Sequence, residues 1–308
     1  MPYDSRDPRS QLATRPSGAT PSGACFPPQY FEFPKLEPDE VSATGTKSWY
    51  VRSQTCCTVF SLARGGDTLR RDEQPDEYMV LLPAADSAVR VRTDGEDVEI
   101  TGSAVIVVPP GRSEIGVEAN CVVVRVFTTQ SPDLNARCLN SAVYARPDPN
   151  VAPFAPWPDP PGGHRVRVYR LADIKPEPGR FGRILRCSTI MVNYFYVDDG
   201  PRDPHTLSPH HHDDFEQLSL QLEGDYVHHI RTPWTVDMAD WREDDHRFCA
   251  SPALTVIPPP TVHTSQSLHH MPHQLVDIFC PPRRDFAERP GWVVNADDYP
   301  LPTNHQVV

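Results

Sequence analysis

The sequence predicts an all-β protein, a sandwich or barrel, on three observations. No long amphipathic helix can be drawn anywhere in the 308 residues. Proline accounts for 36 of them, and it breaks helices and sheet interiors alike. What remains is a series of short β-branched runs separated by turn residues, the pattern of sandwiches and barrels.

The elements divide the chain into five stretches. Residues 1–45 form an N-terminal arm rich in Pro, Ser, Gly and charge, with disorder expected over residues 1 to about 22. Tyr30-Phe31-Glu32-Phe33 is the part of the arm that packs, and strand exchange between barrels or subunits is its expected role. A first folded unit spans 46–145, with strands at Cys57–Leu62, Tyr78–Leu82, Ala88–Arg92, Ala104–Val108 and Val122–Phe127, and turns at Gly95 and Gly102. Residues 146–165 are a proline-rich linker of extended geometry, in which Phe154 and Trp157 are the residues able to pin it to a barrel. A second unit spans 166–285, with strands at Thr189–Val197, Gln217–Leu222, Tyr226–Arg231, Leu254–Pro258 and Gln274–Cys280. The tail, 286–308, carries Trp292 and Tyr299 and is expected to pack on a barrel or a second subunit.

A formal charge of −12 and a pI near 5.5 argue against a nucleic-acid surface, which needs clustered Lys and Arg. No apolar stretch of about 18 residues is present, so no membrane span is expected. The first residues lack the apolar core of a secretory signal, which points to the cytoplasm. The eight cysteines are scattered without a Cys-x-x-Cys pair and are expected as reduced thiols.

Chemistry concentrates in the second unit. Side chains alternate along a strand, so His210, His212 and Glu216 share a parity and point the same way. With His263, which follows Ile257-Pro258-Pro259-Pro260-Thr261-Val262, they make a half-open cage for a divalent metal. Imidazole suits Fe, Ni, Cu and Zn, a carboxylate also suits Fe and Mn, and an ion preferring six ligands keeps positions for substrate. The run of three histidines leaves a second register open through His211, and His205, His228 and His273 are further imidazoles to weigh.

The spacing His210-His211-His212-Asp213-Asp214-Phe215-Glu216, reaching Gly224, resembles the first motif of the cupin family. The turn before His263 is similar to the second, with Pro260 where the family has Gly. The resemblance implies two cupin-type barrels, a double-stranded β-helix or jelly roll each, with one divalent metal per chain. Fe(II) is favoured, and Mn, Ni, Zn or Cu are the other candidates. The first unit echoes the pattern. Val107-Val108-Pro109-Pro110-Gly111-Arg112-Ser113-Glu114 puts Glu114 at the last histidine's place. Counting back from Glu77 puts Glu73 and Arg71 where His212 and His210 stand, so the first barrel is read as degenerate and without metal.

Around the ion, Leu218 and Leu220 share the parity of Glu216 and are expected to line an apolar pocket, with Leu222 beyond and Gln217 facing out. Tyr226 and His228 are candidates for acid/base work, or for orienting a ligand. Arg231 and Trp234 are candidates for holding substrate at the rim. The leucines favour a dioxygenase acting on a small aromatic or dicarbonyl substrate, which cupins of this plan include. The alternatives are a non-redox lyase or isomerase acting on a sugar acid or dicarbonyl, and a non-catalytic binding protein. Beyond a small-molecule substrate, the expected partner is a second copy in a homodimer.

Overall fold

The structure is a computed structural model that describes residues 24–302, so the expected disorder of the first residues lies outside it. Short β-branched runs become twenty strands among the described residues. The first half contributes β1 (Gln29–Glu32), β2 (Glu40–Val41), β3 (Lys47–Arg52), β4 (Cys56–Ala63), β5 (Thr68–Gln74), β6 (Tyr78–Leu82), β7 (Ala88–Thr93), β8 (Asp97–Thr101), β9 (Ala104–Val108), β10 (Gly111–Val117) and β11 (Cys121–Thr128). The second contributes β12 (Arg167–Arg170), β13 (Gly182–Arg186), β14 (Met191–Phe195), β15 (Gln217–Glu223), β16 (Asp225–Arg231), β17 (Asp245–Ala250), β18 (Ala253–Ile257), β19 (Val262–Leu268) and β20 (Gln274–Phe279). No helix among the described residues is long and apolar enough to cross a membrane.

The strands form two barrels of the same plan. In the first, a seven-stranded sheet, β12-β9-β6-β11-β4-β3-β2, is opposed by the sheet β5-β10-β7-β8. In the second, a six-stranded sheet, β1-β18-β15-β20-β14-β13, is opposed by β17-β16-β19. The two large sheets match strand for strand, β6 with β15, β9 with β18, β11 with β20 and β4 with β14. Each is completed by a strand from the other end of the chain. The arm strand β1 pairs with β18, from Gln29 opposite Val256 to Glu32 opposite Ala253, while β12 pairs with β9. A cut between 145 and 166 therefore divides the sequence but not the sheets. The arm is exchanged between barrels inside one chain, and the linker is held by Trp157, which is buried and donates its backbone N–H to Ser188 O.

The large sheets face each other across a shared core. Met79, Leu81 and Val124 of the first barrel meet Leu218, Leu220, Val256 and Ile278 of the second. The barrel interiors differ. The first is apolar, with Tyr78, Val80, Leu82, Val91 and Phe127 packed together. The second buries Gln217, Ser219, Gln221, His228, His263 and Asp277. Most of these groups are partnered within the barrel, Gln217 through Ser219 and Ser219 through Asp277. At the hairpin from β15 to β16, Gly224 has φ +89°, and a Cβ there would meet the His273 ring and Pro272 O at 2.8 Å, so only glycine fits.

Glu77, fully buried just before β6, binds the barrels together. Its Oε2 accepts from the Ser188 backbone N–H at 3.0 Å and from Ser188 Oγ at 2.7 Å, and its Oε1 accepts from Tyr299 Oη at 2.7 Å. The tail is thus drawn back onto the barrel junction. Replacing Glu77 by Ala strands these three donors in the interior, a loss of about 2–5 kcal/mol for a buried charged acceptor with several bonds. Urea unfolding of Glu77→Ala against the parent measures it, and a change below about 0.5 kcal/mol, the scale of an ordinary surface substitution, would remove the bracket's importance.

Candidate metal centre

The site is built on one side of the second barrel. His263 is the second residue of β19, and His210 reaches it through an isolated antiparallel bridge, with backbone bonds of 3.0 and 2.7 Å in the two directions. His212 is fixed by stacking on Phe215, centroids 4.6 Å apart, with Phe279 edge-on at 5.9 Å. The ligand nitrogens of His210, His212 and His263 lie within 4.8 Å of one another. His210 Nδ1–H donates to Ser208 O at 2.9 Å and His263 Nδ1–H to Thr261 O at 3.1 Å, which turns each Nε2 toward the centre. Burial, then the nearby Arg283 guanidinium, holds His212 well below the usual imidazole range, so it stays neutral as a ligand must be.

Glu216 is not part of this cluster. It is buried, but its carboxylate points at the first barrel, where Oε1 accepts from Tyr144 Oη at 2.7 Å and Oε2 from the Gln54 backbone N–H. This is Glu77's bracket in the reverse direction, one residue before β15 instead of β6. Burial pushes the Glu216 carboxyl up to about 7, against the pull of those two donors.

Gln217 takes the inward position instead. Its Oε1 lies 2.8 Å from His212 Nε2 and 3.4 Å from His263 Nε2. The amide is oriented by its Nε2, which donates to Ser219 Oγ at 2.9 Å, and Ser219 Oγ in turn donates to Asp277 Oδ1 at 2.6 Å. The 2.8 Å contact is a hydrogen bond, donated by His212 Nε2–H to the amide oxygen, and it holds that oxygen beside the three imidazoles. The donor set fits a divalent metal with three imidazoles and one neutral oxygen.

This reversed parity relocates the other expected residues. Leu218 and Leu220 point into the core between the barrels, not toward the imidazoles. They share the face of Glu216, and that face is turned away from the three imidazoles. On β16, Tyr226, His228 and Ile230 are buried while Arg231 is exposed. Tyr226 lines a cavity of about 260 Å³ together with His210, His263 and Gln217. Its hydroxyl is pushed upward by burial and then by Asp198 and Asp277, so it remains protonated. His228 is fully buried beside the site: Nδ1–H donates to Ser265 Oγ at 2.9 Å and Nε2 accepts from Gln221, and burial holds it down at about 3. It braces Ser265 as a neutral imidazole. Arg231 pairs with Asp244 at 2.5 Å, and Trp234, 69% exposed, stacks on Trp241 at 4.4 Å. Both line a separate cleft on the outside.

Several cavity residues carry no spacing motif. Ser265 and Ser267 follow from His263 by strand parity, and Ser219 from Gln217. Arg202 has no such signal. It lines the cavity, held by bonds to Ser265 O at 3.1 Å and Ser208 Oγ at 2.8 Å.

No protein-family model and no curated protein matches the sequence. Solved structures do match. The chain is similar to the oxalate decarboxylase of Lactobacillus farciminis in its formate complex, with a TM-score of 0.56 and 14% identity over 89% of this chain and 94% of that one. It is also similar to a variant of the Bacillus subtilis oxalate decarboxylase, with a TM-score of 0.55 and 13% identity over 91% and 88% of the two chains. The fold is a cupin fold. At such identity the likeness speaks for the fold alone, and the chemistry has to come from the site.

Replacing His263 by Ala is expected to abolish stoichiometric metal binding, read by elemental analysis after dialysis. Gln217→Ala should weaken metal affinity by about 10–100-fold, whereas Glu216→Gln should leave metal content unchanged and lower stability by about 1–3 kcal/mol. Loss of metal in Glu216→Gln, with Gln217→Ala unaffected, would restore Glu216 as the ligand.

Proposed function

We propose that the chain is a metal-dependent lyase or isomerase acting on a small carboxylate-bearing carbonyl compound, such as a sugar acid or dicarbonyl, with the second barrel as the live site and the first without metal. The observation that carries this is a guanidinium, Arg202, in the same 260 Å³ cavity as His210 and His263. A dioxygenase pocket of the expected kind needs Leu218 and Leu220 beside the ion, and both lie on the far face of β15. The first barrel has no imidazole to offer: Arg71 pairs with Ser113 where His210 pairs with His263. Ser113, not Glu114, stands at the histidine's place, buried and 3.0 Å from Tyr78 Oη.

The imidazoles and the Gln217 oxygen would hold a divalent ion, which would supply Lewis acidity toward a substrate carbonyl. Arg202 binds and orients the substrate carboxylate by charge-assisted bonds. Tyr226, kept protonated, donates a proton from its hydroxyl. Asp277, aligned by Ser219, is placed in the same cavity to accept one. Phe181 and Phe195 pack together, 5.5 Å between centroids, and close the apolar side of the cavity against water.

The test is turnover of small oxo acids, dicarboxylates and uronates by metal-loaded protein under anaerobic conditions. Product without oxygen uptake is expected. Oxygen consumed in step with product would instead make the protein an oxygenase. Arg202→Ala should raise KM for the carboxylate substrate by about 10–100-fold, the value of one charge-assisted bond, with metal content unchanged.

A further inference from the structure

We propose that the first barrel binds a small oxyanion, a carboxylate or phosphate group, in a cavity where Arg125 is its principal partner. The cavity is about 260 Å³ and is lined by Arg71, Arg125 and Arg137 together with Tyr50 and Glu40. It lies between β3, β5 and β11, beside the apolar interior of the first barrel, and the Asp67 carboxylate lines it as well. Arg125 on β11 lies opposite Val80 and Val59, as Asp277 on β20 lies opposite Ser219 and Asn193. Arg71 stands at the position of His210.

The guanidiniums differ in what neutralises them. Arg71 holds Asp133 through both terminal nitrogens, at 2.5 and 3.2 Å. Arg137 donates to Glu40 Oε2 at 2.7 Å and lies over the Tyr50 ring at 4.1 Å. Arg125 has no hydrogen bond or ion pair with any described residue. It is 5% exposed, its Nε is buried without a partner, it lies 5.8 Å from the Phe127 ring, and it acts at longer range on the Glu40 carboxylate, which Arg137 already holds. A guanidinium cannot shed its proton to escape burial, as a lysine can. A buried charge that cannot be neutralised needs a counter-charge, and the space beside Arg125 is the cavity itself.

The fork of N–H donors matches the paired oxygens of a carboxylate or phosphate. The volume falls below the range of about 300–1,000 Å³ usual for larger organic ligands, so the fitting molecule is small. The first barrel, which has no imidazole, thus offers guanidiniums beside a small cavity, with Glu40 and Asp67 in the same wall.

The experiment is calorimetric titration of the full chain with phosphate, sulfate, acetate and malonate at constant ionic strength, with thermal unfolding alongside. At least one oxyanion is expected to bind and raise Tm where chloride does not, and the order of affinities separates a carboxylate site from a phosphate site. Arg125→Met should weaken that binding at least tenfold and erase the Tm rise while leaving metal content unchanged. His263→Ala should leave the anion isotherm unchanged, which separates this cavity from the metal centre. If Arg125→Met does not fold, Arg125→Lys, which keeps the charge but loses the fork, should still bind several-fold more weakly. No binding by any of the four anions, or an isotherm unmoved by either substitution at Arg125, would overturn the proposal.

Discussion

Strand β15 must satisfy two environments at once, and the rest of the molecule depends on that constraint. Its even positions, Leu218 and Leu220, fill the core between the barrels, and its odd positions, Gln217, Ser219 and Gln221, form the polar interior of the second barrel. A strand cannot slip by one residue without exchanging those faces, burying amides in the apolar junction and leucines beside imidazoles. Glu216 fixes the choice. Its carboxylate holds the Gln54 N–H and the Tyr144 hydroxyl of the first barrel, so β15 enters the sheet with Gln217 turned inward. The metal-site geometry is therefore set by a contact on the opposite side of the strand.

Glu77 does the same work before β6, holding Ser188 and Tyr299 as Glu216 holds Gln54 and Tyr144. Two carboxylates in equivalent positions, each crossing to the other barrel and each receiving a backbone N–H and a tyrosine hydroxyl, give the pair of barrels an approximate two-fold relation. The exchanged strands β1 and β12 obey it as well. The interiors depart from it. Where β15 has Gln217 and Ser219, β6 has Tyr78 and Val80, and Tyr78 stacks on Phe127 at 4.6 Å. A shared scaffold has been filled with opposite chemistry because the junction, not the interior, holds it together.

Half of the twenty strands were legible in the sequence as local pattern, while β5, β10, β17 and β19 among others carried too few apolar residues to stand out. Apolar runs mark β6 and β9 and alternation marks β15, to within a residue or two, and His210, His212 and His263 sit at spacings that only a folded-back sheet brings together. The oxygen that stands beside the imidazoles was not legible. Glu216 and Gln217 are adjacent, both offer oxygen, and a carboxylate is the stronger ligand by local chemistry alone. What decides between them is Tyr144, 72 residues away in sequence, and an apolar partner face that only the other barrel provides. The same cause displaced Leu218 and Leu220 from the pocket. The offset between Ser113 and Glu114 has a local origin: Gly111 follows Pro110 directly, where the second barrel carries one more proline, so the two turns differ by one residue.

The replacement of a carboxylate by an amide at the inward position has an electrostatic consequence. Three neutral imidazoles and a neutral carboxamide add no negative charge, so an ion bound among them keeps its full charge, and its own field becomes the largest in the cavity. Arg202 adds a further positive charge to the same walls, while Asp277 is turned toward the hydroxyl of Ser219. The same cavity is lined by the Asp198 and Asp277 carboxylates, so its positive and negative groups stand on different walls. Under the proposed reading a carboxylate substrate would meet Arg202 on one wall and the packed Phe181 and Phe195 rings on another. The inward place of Gln217, and with it the charge of the donor set, follows from the bracket at Glu216 on the opposite side of the strand.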